Sequence, residues 1–104
     1  MKLRKIINKS TWFELLCMFE SGHLNHELVA PLFQFLTNQN IIWQIQGSHG
    51  STAAALIDEG MIVFGEEPFR NGYGMVYPSR YELTEDEPGS LGYQKRRGYK
   101  LIRI

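Results

Sequence analysis

The sequence has little cysteine and no long apolar run. Cys17 is the one cysteine among 104 residues, so the chain cannot form an internal disulfide, and a reducing compartment suits it. No apolar stretch approaches the ~18–20 residues that a membrane-spanning helix needs. The basic start of the chain also lacks the apolar stretch of a signal peptide. We therefore expect no contact with a membrane.

Patterns typical of catalysis are also scarce. Ser48, His49, Ser51 and Asp58 supply hydroxyl, imidazole and carboxylate groups. Neighbours in the sequence do not make a catalytic geometry, however, and no nucleophile elbow surrounds either serine. We therefore predict that the protein is not an enzyme and has no catalytic residues.

A group of histidines and acids surrounds a predicted loop between two helices. Glu20, His23, His26 and Glu27 carry side chains that can bind zinc or iron. The two histidines are separated by a loop that contains Asn25, and they do not share one helical face. A solvated polar loop is the simpler interpretation, so we predict neither a metal nor a cofactor.

The net charge is zero, but charge is segregated along the chain. All eleven acidic residues lie between Glu14 and Glu87, whereas nine of the eleven basic residues lie outside residues 10–87. These nine are Lys2, Arg4, Lys5, Lys9, Lys95, Arg96, Arg97, Lys100 and Arg103. If the two ends meet in space, they form a basic patch that attracts phosphates or an acidic protein surface. Alternatively, the basic ends neutralise the acidic remainder within the fold.

Helical periodicity dominates the first half of the chain. Thr11 and Glu14 fit a capping box, and the apolar residues at 12, 15, 16 and 19 recur at helical spacing before Gly22. Cys17 lies among these apolar positions, which predicts a small core residue. A second helix follows Asn25, and Pro31 within it predicts a kink or a late start near residue 30.

Residues 41–60 combine an ambiguous segment, a turn and a third helix. Residues 41–46 fit either a short strand or a single helical turn. Residues 47–50 predict a turn, after which Ser51 or Thr52 caps a short helix that Gly60 ends. Free amides at a helix start attract anions. The candidate anion contacts are Gly47, His49, Gly50, Ser51 and Thr52. A plain capped turn is the alternative, since the segment lacks the lysine of a P-loop.

From residue 61 onward the sequence favours short strands, at residues 61–64, 75–77, 80–83 and 99–104. A turn at Asn71 and a polar loop at residues 85–90 separate them. The predicted fold class is α+β, with an N-terminal helical hairpin, a third short helix and a small antiparallel β-sheet. We predict a single domain over residues 1–104, with a helical core at about 10–62 and a β-rich extension at about 61–104 that carries the basic C-terminal segment.

Residues 93–100 mix tyrosines with basic side chains. Lysine and arginine neutralise phosphates while tyrosines stack on bases, which is typical of nucleic-acid binding. An acidic protein surface is a second candidate partner, and a solvated hairpin is the interpretation without any partner. The candidate partner-binding residues are Phe69, Arg70, Tyr73, Tyr77, Arg80, Tyr93, Lys95, Arg96, Arg97, Tyr99 and Lys100.

The motifs LFQFL at residues 32–36, WQIQG at 43–47 and LIDEG at 56–60 resemble an uncharacterised family of small proteins of tailed bacteriophages. The order and spacing of the motifs match over residues 12–62, whereas residues 65–104 fall outside the resemblance. It implies a phage origin, a location in the host cytoplasm and a compact helical unit, but no activity. Ser51 stands where that family often has arginine, so a contact made by that arginine would not transfer to this chain.

A weaker pattern resembles winged helix–turn–helix domains. It consists of Leu56, Gly60 and Ile62, followed by YELT at residues 81–84. The corresponding recognition helix, at residues 53–59, has no arginine, lysine, asparagine or glutamine to read base edges. We therefore do not expect sequence-specific DNA binding.

These observations predict a small non-enzymatic phage protein that binds a host protein complex and modulates or inhibits it. The alternative is a nucleic-acid-binding accessory protein that uses its basic ends, and a third hypothesis is a small metal-binding or hydrolytic enzyme. We expect the contact in the aromatic and basic C-terminal third.

Overall fold

The computed structural model describes residues 2–45 and 47–104, and most of its regular structure is helical. Its α-helices are α1 (Leu3–Ile6), α2 (Trp12–Glu20), α3 (Val29–Asn38), α4 (His49–Glu59) and α5 (Leu91–Arg96), with 3₁₀ helices at His26–Leu28 and Arg80–Glu82. Strands β1 (Phe69–Arg70) and β2 (Val76–Tyr77) form a two-stranded antiparallel sheet. The α+β prediction is confirmed. Gln46, the last residue of the ambiguous segment, lies outside the described residues.

Helices α2 and α3 form the predicted hairpin. Phe19 of α2 packs edge-on against the fully buried Phe33 of α3, with ring centroids 5.1 Å apart. The Asn25 side chain accepts a hydrogen bond from the Glu27 amide at 3.0 Å and so caps the 3₁₀ helix that leads into α3. Because α3 begins at Val29, Pro31 lies in its first turn, where the missing N–H needs no partner. The predicted late start is confirmed.

Two details of α2 differ from the prediction. Thr11 makes no capping bond to the helix; its hydroxyl donates to the Ile6 carbonyl at 2.6 Å and accepts from the Asn8 amide at 3.0 Å. The predicted capping box is therefore wrong, because this hydroxyl hydrogen-bonds to the backbone of the preceding turn. Cys17 is exposed, so its assignment to the core is also wrong. The helix buries Leu16, and the next residue lies about 100° further round the helix axis.

Helix α4 begins earlier than predicted. Its first residue is His49, Ser48 at the N-cap makes no side-chain capping bond, and the Thr52 hydroxyl donates to the Ser48 carbonyl at 3.2 Å. Ser51 and Thr52 thus lie within the helix, and their predicted role as its cap is wrong. The predicted end is confirmed, since Gly60 has a left-handed φ of +86°.

The sheet is smaller than predicted. In residues 61–104, several backbone amides donate hydrogen bonds to side chains instead of to a neighbouring strand. No strand is present at 61–64 or 99–104. The Ser79 hydroxyl accepts from the Tyr81 amide at 3.1 Å, and the Glu82 carboxylate accepts from the Ser79 amide at 2.8 Å. This capping box makes the predicted strand at 80–83 a 3₁₀ helix. The Ser90 hydroxyl likewise accepts from the Tyr93 amide at 3.1 Å and starts α5, which replaces the predicted hairpin there.

The core lies between α2, α3, α4 and the segment that follows α4. Its most buried apolar residues are Ile7, Leu16, Leu32, Phe33, Leu36, Ile42, Ala53, Ile57 and Ile62. Gln34 and Thr37 are fully buried polar residues within it. Over the described residues, no helix combines the length and the apolar character that crossing a bilayer requires.

Candidate binding surfaces

A hydrogen-bonded hairpin loop connects β1 and β2. Phe69 lies opposite Tyr77, and Arg70 lies opposite Val76. The Asn71 side-chain carbonyl accepts hydrogen bonds from the amides of Tyr73 and Met75, both at 3.0 Å. One asparagine thus bonds to two amides of the turn. Asparagine favours turns because its short polar side chain can accept hydrogen bonds from nearby backbone amides. These bonds, together with backbone bonds within the turn, set the conformation of the hairpin tip.

The tip of this hairpin exposes large apolar side chains. Tyr73 is 91% exposed, Met75 56% and Val76 58%. These three residues are called the hairpin surface below. Tyrosine and methionine are enriched at protein interfaces, and clustered exposed apolar side chains mark interaction sites more often than scattered ones do.

An aromatic cleft adjoins the hairpin surface. The rings of Trp43 and Tyr77 stack with centroids 4.1 Å apart and planes 6° apart, and Phe64 lies 6.0 Å from Trp43 on ring centroids. A cleft of about 540 Å³ opens beside this stack. Its lining residues are Ile42, Trp43, Gln44, Ile45, Gly47, Gly50, Asn71, Tyr73 and Tyr77. A second cavity of about 370 Å³ shares Trp43, Asn71 and Tyr73 and adds Phe69. The hairpin therefore forms a wall of both cavities.

The predicted anion turn has a carboxylate beside it. The His49 imidazole Nε2 lies 3.6 Å from the Glu20 carboxylate, and the Gly47 φ of +95° turns the chain into α4. An acid at this helix start repels an anion. Gly47 and Gly50 line the aromatic cleft instead, whereas Ser51 is exposed on α4. Anion binding by these five residues stays a prediction, and the carboxylate argues against it.

The basic C-terminal segment pairs in part with the acidic body. Arg96 forms a salt bridge with Asp86, and Arg97 lies 3.6 Å from the Glu59 carboxylate while its Nε donates to the Glu59 carbonyl at 3.1 Å. The Tyr93 hydroxyl donates to the Asp58 carbonyl at 2.6 Å. Tyr93 and Arg97 thus hold α5 to the end of α4, whereas Arg96 pairs with the loop that precedes α5. Within the C-terminal segment, the exposed contact residues that form no described salt bridge are Lys95, Tyr99 and Lys100.

The comparison with known families decides the classification of the chain. A family model described as a domain of unknown function (DUF7417) matches residues 13–78, which is more than half of the chain. The chain belongs to this family. No curated protein and no solved structure matches it.

The DUF7417 match extends further than the motif resemblance over residues 12–62. It includes β1 and β2, so both the hairpin surface and the aromatic cleft lie within the family segment. Residues 65–78, which lie outside the motif resemblance, therefore belong to the DUF7417 segment. The winged-helix pattern, in contrast, fails at its last part, because Tyr81 lies in a 3₁₀ helix and not in a wing strand.

Arg80 follows the DUF7417 segment and lies in the interior. It is 5% exposed; its Nε donates to the Phe64 carbonyl at 2.7 Å, and one Nη donates to the Asn38 side-chain oxygen at 2.6 Å. Its side chain therefore links α3 to the segment after α4. Arg80 does not present its charge on the outer surface beside the predicted contact residues around it.

The two basic ends of the chain meet outside the DUF7417 segment. A cleft of about 620 Å³, the basic groove, is lined by Lys2, Leu3, Arg4, Lys5 and Arg103. The charge segregation of the sequence is the signal that identified these residues. Trp43 and Asn71, in contrast, were missed as site residues, because a tryptophan in an apolar run and an Asn-Gly turn are typical of any small fold.

Proposed function

We propose that this protein is a non-enzymatic binding protein that captures a protein partner through the hairpin surface and the aromatic cleft. The observation that carries the proposal is the exposure of Tyr73, Met75 and Val76 beside a cleft with stacked aromatic walls. A cleft of about 540 Å³ falls within the ~300–1,000 Å³ that ordinary ligand pockets have. An apolar side chain of the partner would enter this cleft, and the hairpin surface would contact the partner around it.

Charge favours a protein over a nucleic acid at this face. Glu67 and Glu82 flank the hairpin in the sequence and are exposed, whereas Arg70 is the one basic residue of the hairpin. Acids near a binding surface repel phosphates and attract basic side chains. The partner segment is accordingly apolar at its centre and basic or neutral at its edges.

The outer edges of the sheet offer a second means of recognition. Strands β1 and β2 pair with each other, and neither has another strand partner among the described residues. An extended peptide can add to such an edge through main-chain hydrogen bonds. Because each strand has only two residues, side chains in the cleft must supply most of the affinity.

The experiment is affinity capture from a bacterial lysate, with nuclease treatment and two matched double variants. We expect nuclease-resistant capture of one protein by the wild type and its loss in Y73S/M75S. The control F13S/M18S removes one aromatic residue and one methionine that are exposed on α2, and it should capture normally. Equal capture by both variants, or capture that nuclease abolishes, would contradict the proposal.

The motif resemblance supports a more specific proposal about the origin and the partner of the protein. A phage origin would place the protein in the cytoplasm of an infected host, where its partner would be a host protein whose activity it modulates or inhibits. DUF7417 is a family of unknown function, so this part rests on the resemblance alone. Growth arrest of a bacterial host by the wild type and not by Y73S/M75S would support it; no effect of either protein would count against it.

Nucleic-acid binding stays the alternative function. The observation in its favour is the basic groove, in which Lys2, Arg4, Lys5 and Arg103 lie around one cleft. Binding through phosphates weakens steeply as salt rises. A gel-shift series with DNA and RNA at low and rising salt tests it, and absence of a complex at low salt would exclude it.

A further inference from the structure

A second, smaller cavity lies beside the basic groove and has three arginines in its wall. This arginine pocket has a volume of about 160 Å³ and is lined by Arg4, Arg80 and Arg103, together with Asn38, Glu66 and neighbouring residues of the C-terminal segment. Arg4 and Arg103 also line the basic groove. The pocket and the groove therefore share part of their walls.

Arg80 is the interior component of this pocket. It is 5% exposed, and its described hydrogen-bond acceptors are the Phe64 carbonyl and the Asn38 side-chain oxygen. The salt bridges within residues 2–45 and 47–104 involve His49, Arg96 and Arg97 as the basic partners, and Arg80 takes part in none of them. A guanidinium group stays charged and has five N–H donors. Arg80 thus carries a buried charge. The acceptors described for it are neutral, and some of its N–H donors have no described partner.

Asn38 fixes the orientation of this guanidinium group. Its side-chain oxygen accepts from the fully buried Gln34 at 2.9 Å as well as from Arg80, and its amide donates to the Ile104 carbonyl oxygen at 3.1 Å. The C-terminal segment is thereby held against α3, which brings Arg103 to the pocket. The hydrogen bonds fix Arg80 and the C-terminal backbone, whereas Arg4 and Arg103 are exposed side chains that complete the pocket wall.

We propose that the arginine pocket binds a phosphate group. A buried charge costs free energy unless an opposite charge pairs with it, and an anion in the pocket would supply that pair. Planar guanidinium groups bind phosphate oxygens in pairs, and three of them line this pocket. The phosphate is either a free monoester or part of a nucleic-acid backbone lying in the basic groove.

The test is thermal unfolding with inorganic phosphate, at an ionic strength held constant with sodium chloride. Phosphate bound to the folded state raises the midpoint of unfolding. We expect this rise for the wild type and a loss of about tenfold or more in phosphate affinity for R4Q/R103Q, which removes charge-assisted bonds. The control R70Q/K95Q removes two exposed positive charges that lie outside the pocket wall and should bind as the wild type does. Arg80 is left unchanged, since its loss would disturb the fold itself.

Adjacent glutamates provide a test in the opposite direction. Glu66 lines the arginine pocket, whereas its neighbour Glu67 does not, and both are exposed. Replacing Glu66 by glutamine removes a negative charge beside the bound phosphate, so E66Q should bind phosphate more tightly than E67Q. The absence of any phosphate-specific rise in the wild type, or an equal rise in R4Q/R103Q, would overturn the proposal.

Short single-stranded oligonucleotides with and without a 5′-phosphate then identify the source of the phosphate. Binding that requires the terminal phosphate assigns a monoester, and equal binding of both that weakens with salt assigns the backbone. The arginine pocket shares no lining residue with the aromatic cleft. Failure of this proposal would therefore leave the protein-binding proposal intact, and the reverse holds too.

Discussion

The side-chain amide of Gln34 forms two reciprocal hydrogen bonds with the backbone of Val63. Its nitrogen donates to the Val63 carbonyl, and its oxygen accepts from the Val63 amide, both at 2.9 Å. Both residues are fully buried. The glutamine thus supplies the Val63 backbone with the partners that a neighbouring strand would provide, so Val63 is buried without belonging to a sheet.

Replacing Gln34 by leucine should destabilise the fold strongly. The substitution leaves the N–H and C=O groups of Val63 buried without partners, at roughly 1–3 kcal/mol each. We expect a loss of about 2–5 kcal/mol in the free energy of unfolding, measured by urea denaturation. Q39L, at an exposed position at the end of α3, should change stability by roughly 0.5 kcal/mol or less. Similar values for the two variants would contradict this role of Gln34.

The backbone at Gly89 should not tolerate a side chain. Its φ is +98°, and a Cβ atom there would lie 2.2 Å and 2.5 Å from ring atoms of Phe64. Gly22 offers a matched control, because its φ is +78° but no atom lies within 4 Å of an added Cβ. G22A should cost about 1–2 kcal/mol for the left-handed conformation alone. G89A should cost clearly more, or fail to fold, when both are compared by thermal unfolding; equal costs would show that Phe64 moves aside freely.

Periodicity predicted the N-terminal helices, because burying one face of a helix leaves a repeat in the sequence. Asn25, Pro31 and Gly60 also predicted helix ends correctly, since each has a local conformational preference. The structure of the C-terminal third was not predicted, because it does not depend on burying one face of a long helix. There, hydrogen bonds between side chain and backbone decide the structure, as at Ser79 and Ser90, and such bonds leave no periodic pattern.

The candidate sites divide in a similar way. The segregation of basic residues at the two ends is visible in the sequence, but their meeting at the basic groove is not. The burial of Arg80 does not follow from this segregation, because no local pattern shows that Asn38, 42 residues earlier, accepts its hydrogen bond. Nor does the sequence show that Tyr77 stacks on Trp43, since the two residues meet only through the tertiary fold.

Exposed Cys17 should react readily in the folded protein. Its thiol lies on the outward side of α2, so a thiol reagent can reach it without unfolding. We expect Ellman's reagent to modify native protein at a rate within about tenfold of the rate in denaturant, and C17S to change stability by roughly 0.5 kcal/mol or less. If the reagent modified Cys17 only in the unfolded protein, the thiol would have to lie in the core.

The stack of Trp43 on Tyr77 should contribute to stability beyond the apolar area that each ring buries. Stacked aromatic pairs add about 0.5–1.5 kcal/mol in double-mutant cycles. We expect that coupling energy when W43L, Y77L and the double variant are compared by urea denaturation. A parallel cycle with Trp43 and the highly exposed Tyr73, whose ring makes no described aromatic contact, should give a coupling near zero. Because the same rings form the wall of the aromatic cleft, Y77L should also weaken capture of the protein partner, whereas a purely structural stack would leave capture unchanged in a folded variant.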